Sequence, residues 1–108
     1  MLKFWVMGVS ALALIGCSSL SIDRMNHGLA SAMGQNVSQL QSALGEAVET
    51  SSDRGQTKYR WFAESHIEPC QIEVWADADG VVRKTAWSGY EVACREFAEG
   101  LNRVFPTQ

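Results

Sequence analysis

The sequence predicts an α+β fold: two N-terminal helices, a three-stranded antiparallel sheet and a C-terminal helix packed on that sheet, in a layered α/β arrangement. Three observations carry this. Apolar residues recur at helical spacing towards both ends of the chain, whereas the stretch 57–88 alternates with the period of two that belongs to strands. Ala78-Asp79-Gly80 separates two such alternating runs, where Asp tolerates the turn and Gly supplies a positive φ. Cys70 and Cys94 fall on the inward faces of the middle strand and the last helix, so one bond would join the layers that the apolar pattern already brings together.

Taken in order, Ile22, Met25, Leu29 and Met33 mark the first helix, in which Gly28 costs up to about 1 kcal/mol of helix propensity. Gly34 breaks it. Asn36 caps a second helix, Gln39 three positions on completes a capping box, Val37, Leu40 and Leu44 supply its apolar face, and Gly45 closes it. Glu49 to Gln56 reads as a polar loop. The first strand, Thr57 to Ser65, turns Tyr59, Trp61 and Ala63 inward, with Phe62 left on the polar side. The second, Cys70 to Asp77, turns Cys70, Ile72, Val74 and Ala76 inward and Trp75 outward. In the third, Val81 to Ser88, inward Val82 and Ala86 would leave Arg83 and Trp87 on the outer face beside Trp75. Ser88 and Glu91 suggest a second capping box, opening a helix whose stripe is Tyr90, Ala93, Cys94, Phe97, Leu101 and Val104, ahead of Pro106.

Ahead of this domain stands a lone Lys3, an apolar run from Phe4 to Ile15 and then Leu14-Ile15-Gly16-Cys17. The run is twelve residues, short of the roughly 20 that a spanning helix needs, so it reads as an export signal. It resembles a bacterial lipoprotein signal, which implies lipidation at Cys17 and cleavage before it. Ser18, rather than Asp, follows the cysteine, which in that class implies the outer membrane and its periplasmic face. The expected organisation is a signal at 1–16, a short lipidated tether at 17–21 and a single small domain at 22–108. The alternative is a soluble secreted protein whose signal happens to end in cysteine.

Loss of residues 1–16 would leave 92 residues, a domain that buries only a little over about 60% of the surface of its unfolded chain and gains from a covalent staple. Cys70 and Cys94 are the expected staple: they are even in number, and export takes them to an oxidising compartment. The rival readings are a metal pair or a reactive thiol, but two cysteines 24 positions apart with no CxxC make a poor zinc site.

Nine basic residues against twelve acidic ones give a net charge of -3, and the loss of Lys3 makes it -4. Basic residues are scattered from Arg24 to Arg103, so a nucleic-acid partner is not expected. No cofactor, metal or catalytic residue is expected either. His27 and His66 stand in no motif, no GxSxG elbow occurs, and Asp77-Ala78-Asp79-Gly80 would place Ser88, not Glu, at position twelve of a calcium loop.

The segment 34–47 (Gly34-Gln35-Asn36-Val37-Ser38-Gln39-Leu40-Gln41-Ser42-Ala43-Leu44-Gly45-Glu46-Ala47) resembles the glycine, polar cap and Leu-Gly motif of the SmpA/OmlA (BamE-like) lipoproteins. Gly34, Asn36, Leu40, Leu44 and Gly45 match in spacing; Gln35 and Ala47 depart, standing where methionine and proline are usual. The resemblance implies a layered α/β fold, the outer membrane and a role in outer-membrane protein assembly or envelope integrity.

Two functions from different classes follow. The first is a membrane-anchored accessory protein that binds an envelope protein partner through its outer sheet face, with Trp75, Trp87 and Arg83 as anchors, since Trp and Arg dominate binding energy at interfaces. Against it, the tryptophans could instead be covered by the Glu49–Gln56 segment or by the first helix. The second function is a small inhibitor or ligand-binding module in the periplasm.

Overall fold

The computed structural model describes residues 20–65 and 68–106, and the expected signal, Cys17 and His66 lie outside them. Helix α1, Leu20–Ala32, begins inside what reads as tether and buries Met25, Leu29 and Ala32. Ile22 and Met33, expected on its stripe, are 40% and 44% exposed. Ile22 sits in the first turn, and Met33 lies past the helix end, where Ala32 has taken the inward place. Gly28 is buried against the last helix, where a Cβ would stand 2.6 Å from Leu101 Cβ. The propensity it forgoes is offset by close approach to the last helix.

Helix α2, Val37–Leu44, is capped as expected, Asn36 Oδ1 accepting from the Ser38 N–H at 2.9 Å. The reciprocal half of the box is absent: the Gln39 amide donates instead to Gln35 Oε1 at 3.3 Å. Gly45 ends the helix at φ 85°, and its carbonyl accepts the Trp61 indole N–H at 2.8 Å.

The sheet has four strands, not three: β1 Glu49–Asp53, β2 Gln56–Ala63, β3 Cys70–Ala76 and β4 Val82–Ser88, antiparallel in the order β1-β2-β3-β4. The supposed polar loop Glu49–Gln56 is β1 and the turn into β2. Its sequence, ETSSD, has no apolar alternation because the helices do not cover it, so four of its five residues are exposed on whichever side they point. What makes it a strand is the turn: Arg54 at φ 53° and Gly55 at φ 84° form the two-residue connection whose twist suits a hairpin.

One face of the sheet is the core. Trp61, Cys70, Ile72, Val74, Ala76 and Val82 are buried on it, with Tyr59, Ala63 and Trp87 packed at its margin. Val82 is inward as expected, but Ala86 is exposed. The register explains this: Ala76 pairs with Val82 and Trp75 with Lys84, so Arg83 is the extra residue of a bulge. A bulge shifts the alternation by one position, and Thr85 and Trp87 face the helices after it, level with Val74 and Ile72.

Helix α3, Glu91–Val104, lies over the sheet and buries Cys94, Ala98, Gly100 and Leu101. Cys70 and Cys94 are disulfide-bonded, their Cα atoms 5.1 Å apart. The expected Ser88–Glu91 box is not formed: Ser88 ends β4, and Tyr90 is the N-cap without a side-chain bond. Gly89 bends the chain between them at φ 140°, where a Cβ would meet the Pro69 carbonyl at 2.6 Å and Cys94 Sγ at 3.2 Å. The Pro69–Cys70 backbone, ahead of the sulfur, leaves room for glycine alone at this bend.

Candidate interaction face on the open side of the sheet

The three helices share one side of the sheet, leaving the other without a covering layer among the described residues. Strand alternation and register determine what stands there. Ser51, Lys58, Trp75 and Lys84 form one cross-strand row, Glu49, Arg60, Glu73 and Ala86 a second, and Phe62, Gln71 and Ser88 a third. Directly opposed side chains lie close enough to interact, so these rows are the units of the surface.

Trp75 is the centre of the first row. Its indole N–H donates to Asp53 Oδ2 at 2.7 Å, reaching over β2 to β1. Lys84 Nζ lies 4.6 Å and Lys58 Nζ 5.6 Å from its ring centroid, cation–π contacts worth about 0.5–1 kcal/mol each at an exposed site. Lys58 also pairs with Glu73 at 2.7 Å, and this hydrogen bond is the main cause that raises its pKa above 10.5. In the second row Arg60 Nε bonds Glu49 Oε1 at 3.1 Å, while Nη1 bonds Gln71 Oε1 at 3.3 Å and the guanidinium carbon sits 5.5 Å from the Phe62 ring. Such exposed pairs contribute little to stability, yet together they hold long side chains in place around an aromatic ring.

A cleft of about 330 Å³ opens beside the ring, lined by Asp53, Arg54, Gln56, Trp75 and Lys84. A second groove, of about 380 Å³, lies between α2 and α3 along Leu44, Phe97 and Arg103. Among the described residues no group of three or more His, Cys, Asp or Glu side chains is placed to hold a metal ion. No helix among them is long and apolar enough to cross a membrane. His27 is exposed, 3.4 Å from Ser31 Oγ.

The three expected anchors do not share a face. Trp75 is on the open side, but the bulge at Arg83 turns Trp87 towards the helices, where its indole N–H donates to Asn26 Oδ1 of α1 at 2.9 Å. Trp87 is thus held by the first helix, the covering weighed against the binding reading. Arg83 is exposed and its Nε bonds Asp77 Oδ2 at 2.9 Å, tying the bulge to the β3–β4 turn. The residues that surround Trp75 instead, namely Asp53, Lys58 and Lys84, have no individual signal in the sequence. They are assembled by register, and β1 carries none of the alternation by which register is read.

Comparison with protein-family models finds no match, and searches of curated proteins and of solved structures find none either.

Proposed function

We propose that this chain is a lipid-anchored accessory protein of the bacterial envelope, fixed through Cys17 to the periplasmic face of the outer membrane, that binds a protein partner through the open sheet face around Trp75. The observation that carries the binding part is the setting of Trp75: an aromatic ring on a largely polar face, held by Asp53 and flanked by Lys58 and Lys84. Large aromatic side chains ringed by polar groups are what interface hot spots consist of. The compartment is supported by the Leu14-Ile15-Gly16-Cys17 sequence and by the Cys70–Cys94 disulfide, since such bonds persist where thiols are not kept reduced. The likeness of residues 34–47 to the SmpA/OmlA motif favours a partner in outer-membrane protein assembly or envelope integrity.

The test is photocrosslinking in intact cells from position 84, on the open face, beside position 95 on the exposed side of α3 as control. A membrane protein captured from position 84 alone, and weakened by Trp75→Ala, is the expected result. Equal capture from both positions would remove the face assignment, and capture of a soluble secreted enzyme would favour the inhibitor module. Anchorage is checked separately: Cys17→Ser should leave an uncleaved precursor that takes up no lipid label.

A further inference from the structure

Besides its open face the sheet has an open edge, and the two edges differ. At the β4 edge the segment between α1 and α2 is bonded along the start of the strand: the Gly34 N–H donates to the Val82 carbonyl at 2.9 Å, the Val82 N–H to the Gln35 carbonyl at 2.9 Å and the Val37 N–H to the Gly80 carbonyl at 2.8 Å. At the other end of the strand order β1 has β2 on one side and no strand on the other among the described residues.

The geometry of the hairpin says which backbone groups are left over. A two-residue turn at Arg54-Gly55 makes Asp53 and Gln56 a hydrogen-bonded pair, and alternation makes Ser51–Lys58 and Glu49–Arg60 the next two. Thr50 and Ser52 therefore direct their N–H and C=O groups away from β2, along the free edge. Of the devices that blunt natural edges, β1 has short length and terminal acidic charge but neither lysine nor proline, so its edge repels acidic strands and leaves basic ones unopposed.

We infer that the β1 edge is a docking site for an extended segment of a partner protein carrying basic residues at positions i and i+4, which adds a fifth strand to the sheet. Charge selects this occupant. Glu49 and Asp53, four residues apart, stand on the open side of β1 with Ser51 between them; Arg60 and Trp75 engage Oε1 of the one and Oδ2 of the other, and an added strand presents two basic side chains to the acceptor positions that remain. A second copy of this chain is disfavoured by the same arithmetic: antiparallel pairing of two β1 strands about Ser51 sets Glu49 opposite Asp53 of its mate, like charge against like. The inference rests on the reading of the chain as a protein-binding module and adds a contact class to it, main-chain pairing beside the Trp75 ring.

The probe is a fluorescent strand peptide, TVKVTVKT, beside its counterpart TVEVTVET, titrated against the full-length chain produced in an exporting host and purified in detergent. The lysine peptide should bind at least tenfold more tightly. Thr50→Pro and Ser52→Pro, which remove edge donors without touching the β2 ladder, should each abolish that difference. Ser51→Lys, which leaves the backbone intact and sets a cation between the two carboxylates, should weaken the lysine peptide by at least tenfold and tests the inference even where a proline variant misfolds. Trp75→Ala should leave peptide binding in place, so loss of capture in cells with retained peptide binding separates the open face from the edge. Equal binding of the two peptides, wild-type binding by Ser51→Lys, or a dimer held through β1 in sedimentation would each overturn the inference.

Discussion

The indole N–H of Trp75 on β3 donates to the carboxylate of Asp53 on β1 at 2.7 Å, spanning the strand between them. This bond ties the edge hairpin to the centre of the sheet on the side away from the core. Replacing Asp53 by Ala should cost about 1 kcal/mol of stability, the ordinary net worth of such a hydrogen bond, and free the ring to turn. Thermal melting together with tryptophan fluorescence reads both effects; a loss above 3 kcal/mol would mean that β1 is far more integral to the fold than its exposure indicates.

The tryptophans should separate by face. Trp61 is 1% exposed and bonded to the Gly45 carbonyl, so Trp61→Ala should cost about 3–5 kcal/mol, close to what a small domain can lose. Trp75→Ala removes the Asp53 bond and both lysine contacts, so it should cost about 2 kcal/mol, less than Trp61→Ala, and weaken partner capture by more than about 1 kcal/mol, or roughly fivefold. Trp87→Ala should cost stability and spare capture, since its partner is Asn26 of α1. Weakened capture by Trp87→Ala in a protein that melts normally would contradict the face assignment.

Two glycines of the helix layer should resist alanine. A Cβ on Gly28 meets Leu101 Cβ at 2.6 Å, and one on Gly100 runs into the backbone carbonyl of Ala43 in α2. Alanine would normally gain up to about 1 kcal/mol in a helix interior, so the expected sign is reversed here by sterics. Denaturant unfolding should show both variants less stable than wild type, Gly100→Ala more so because the approach to the Ala43 backbone is the closer of the two. A gain at either position would show that the helices have room to part.

The Cys70–Cys94 bond closes a separation of 24 residues, and its removal by Cys94→Ser should cost about 3 kcal/mol in the chain-entropy account. Gly89→Ala should also destabilise, and reduction should not rescue it, because the nearest obstacle is the Pro69 carbonyl rather than the sulfur. Peptide mapping without reductant and melts with and without it are the measurements. Full rescue of Gly89→Ala by reduction would place the conflict at Cys94 instead.

Asp77 should make the β3–β4 turn acid-sensitive. Its carboxylate accepts the Val81 N–H at 3.0 Å, the first cause that holds its pKa below the usual 3.8, and it also accepts from Asp79 N–H and Arg83 Nε at 2.9 Å each. A carboxyl with a lower pKa folded than unfolded adds stability above the unfolded value, and that contribution disappears as pH falls through the folded one. The stability gap between wild type and Asp77→Asn should therefore be full at pH 6 and shrink below about pH 3.8. A gap constant with pH would mean that the ionised carboxylate contributes nothing.

Where one face of an element is buried and continuous, the residues alone were enough to place it. The β3 alternation Cys70, Ile72, Val74, Ala76, the inward Tyr59 and Trp61 and the stripe through Cys94 and Leu101 are local periodicities imposed by a single core, the cap at Asn36 is a local hydrogen bond, and the bond joining Cys70 to Cys94 follows from two of those inward faces meeting. The tertiary structure alone decided three things. Glu49–Asp53 is a strand because a left-handed two-residue turn folds it onto β2, not because any pattern marks it. Trp87 faces the helices because one extra residue at Arg83 reverses the alternation, and a bulge of this kind leaves no trace in apolar spacing. The setting of Trp75 depends on both, since Asp53, Lys58 and Lys84 meet it through registers across three strand pairings. Periodicity is a property of one segment, whereas register is a relation between segments, and the open face of this protein is built from register.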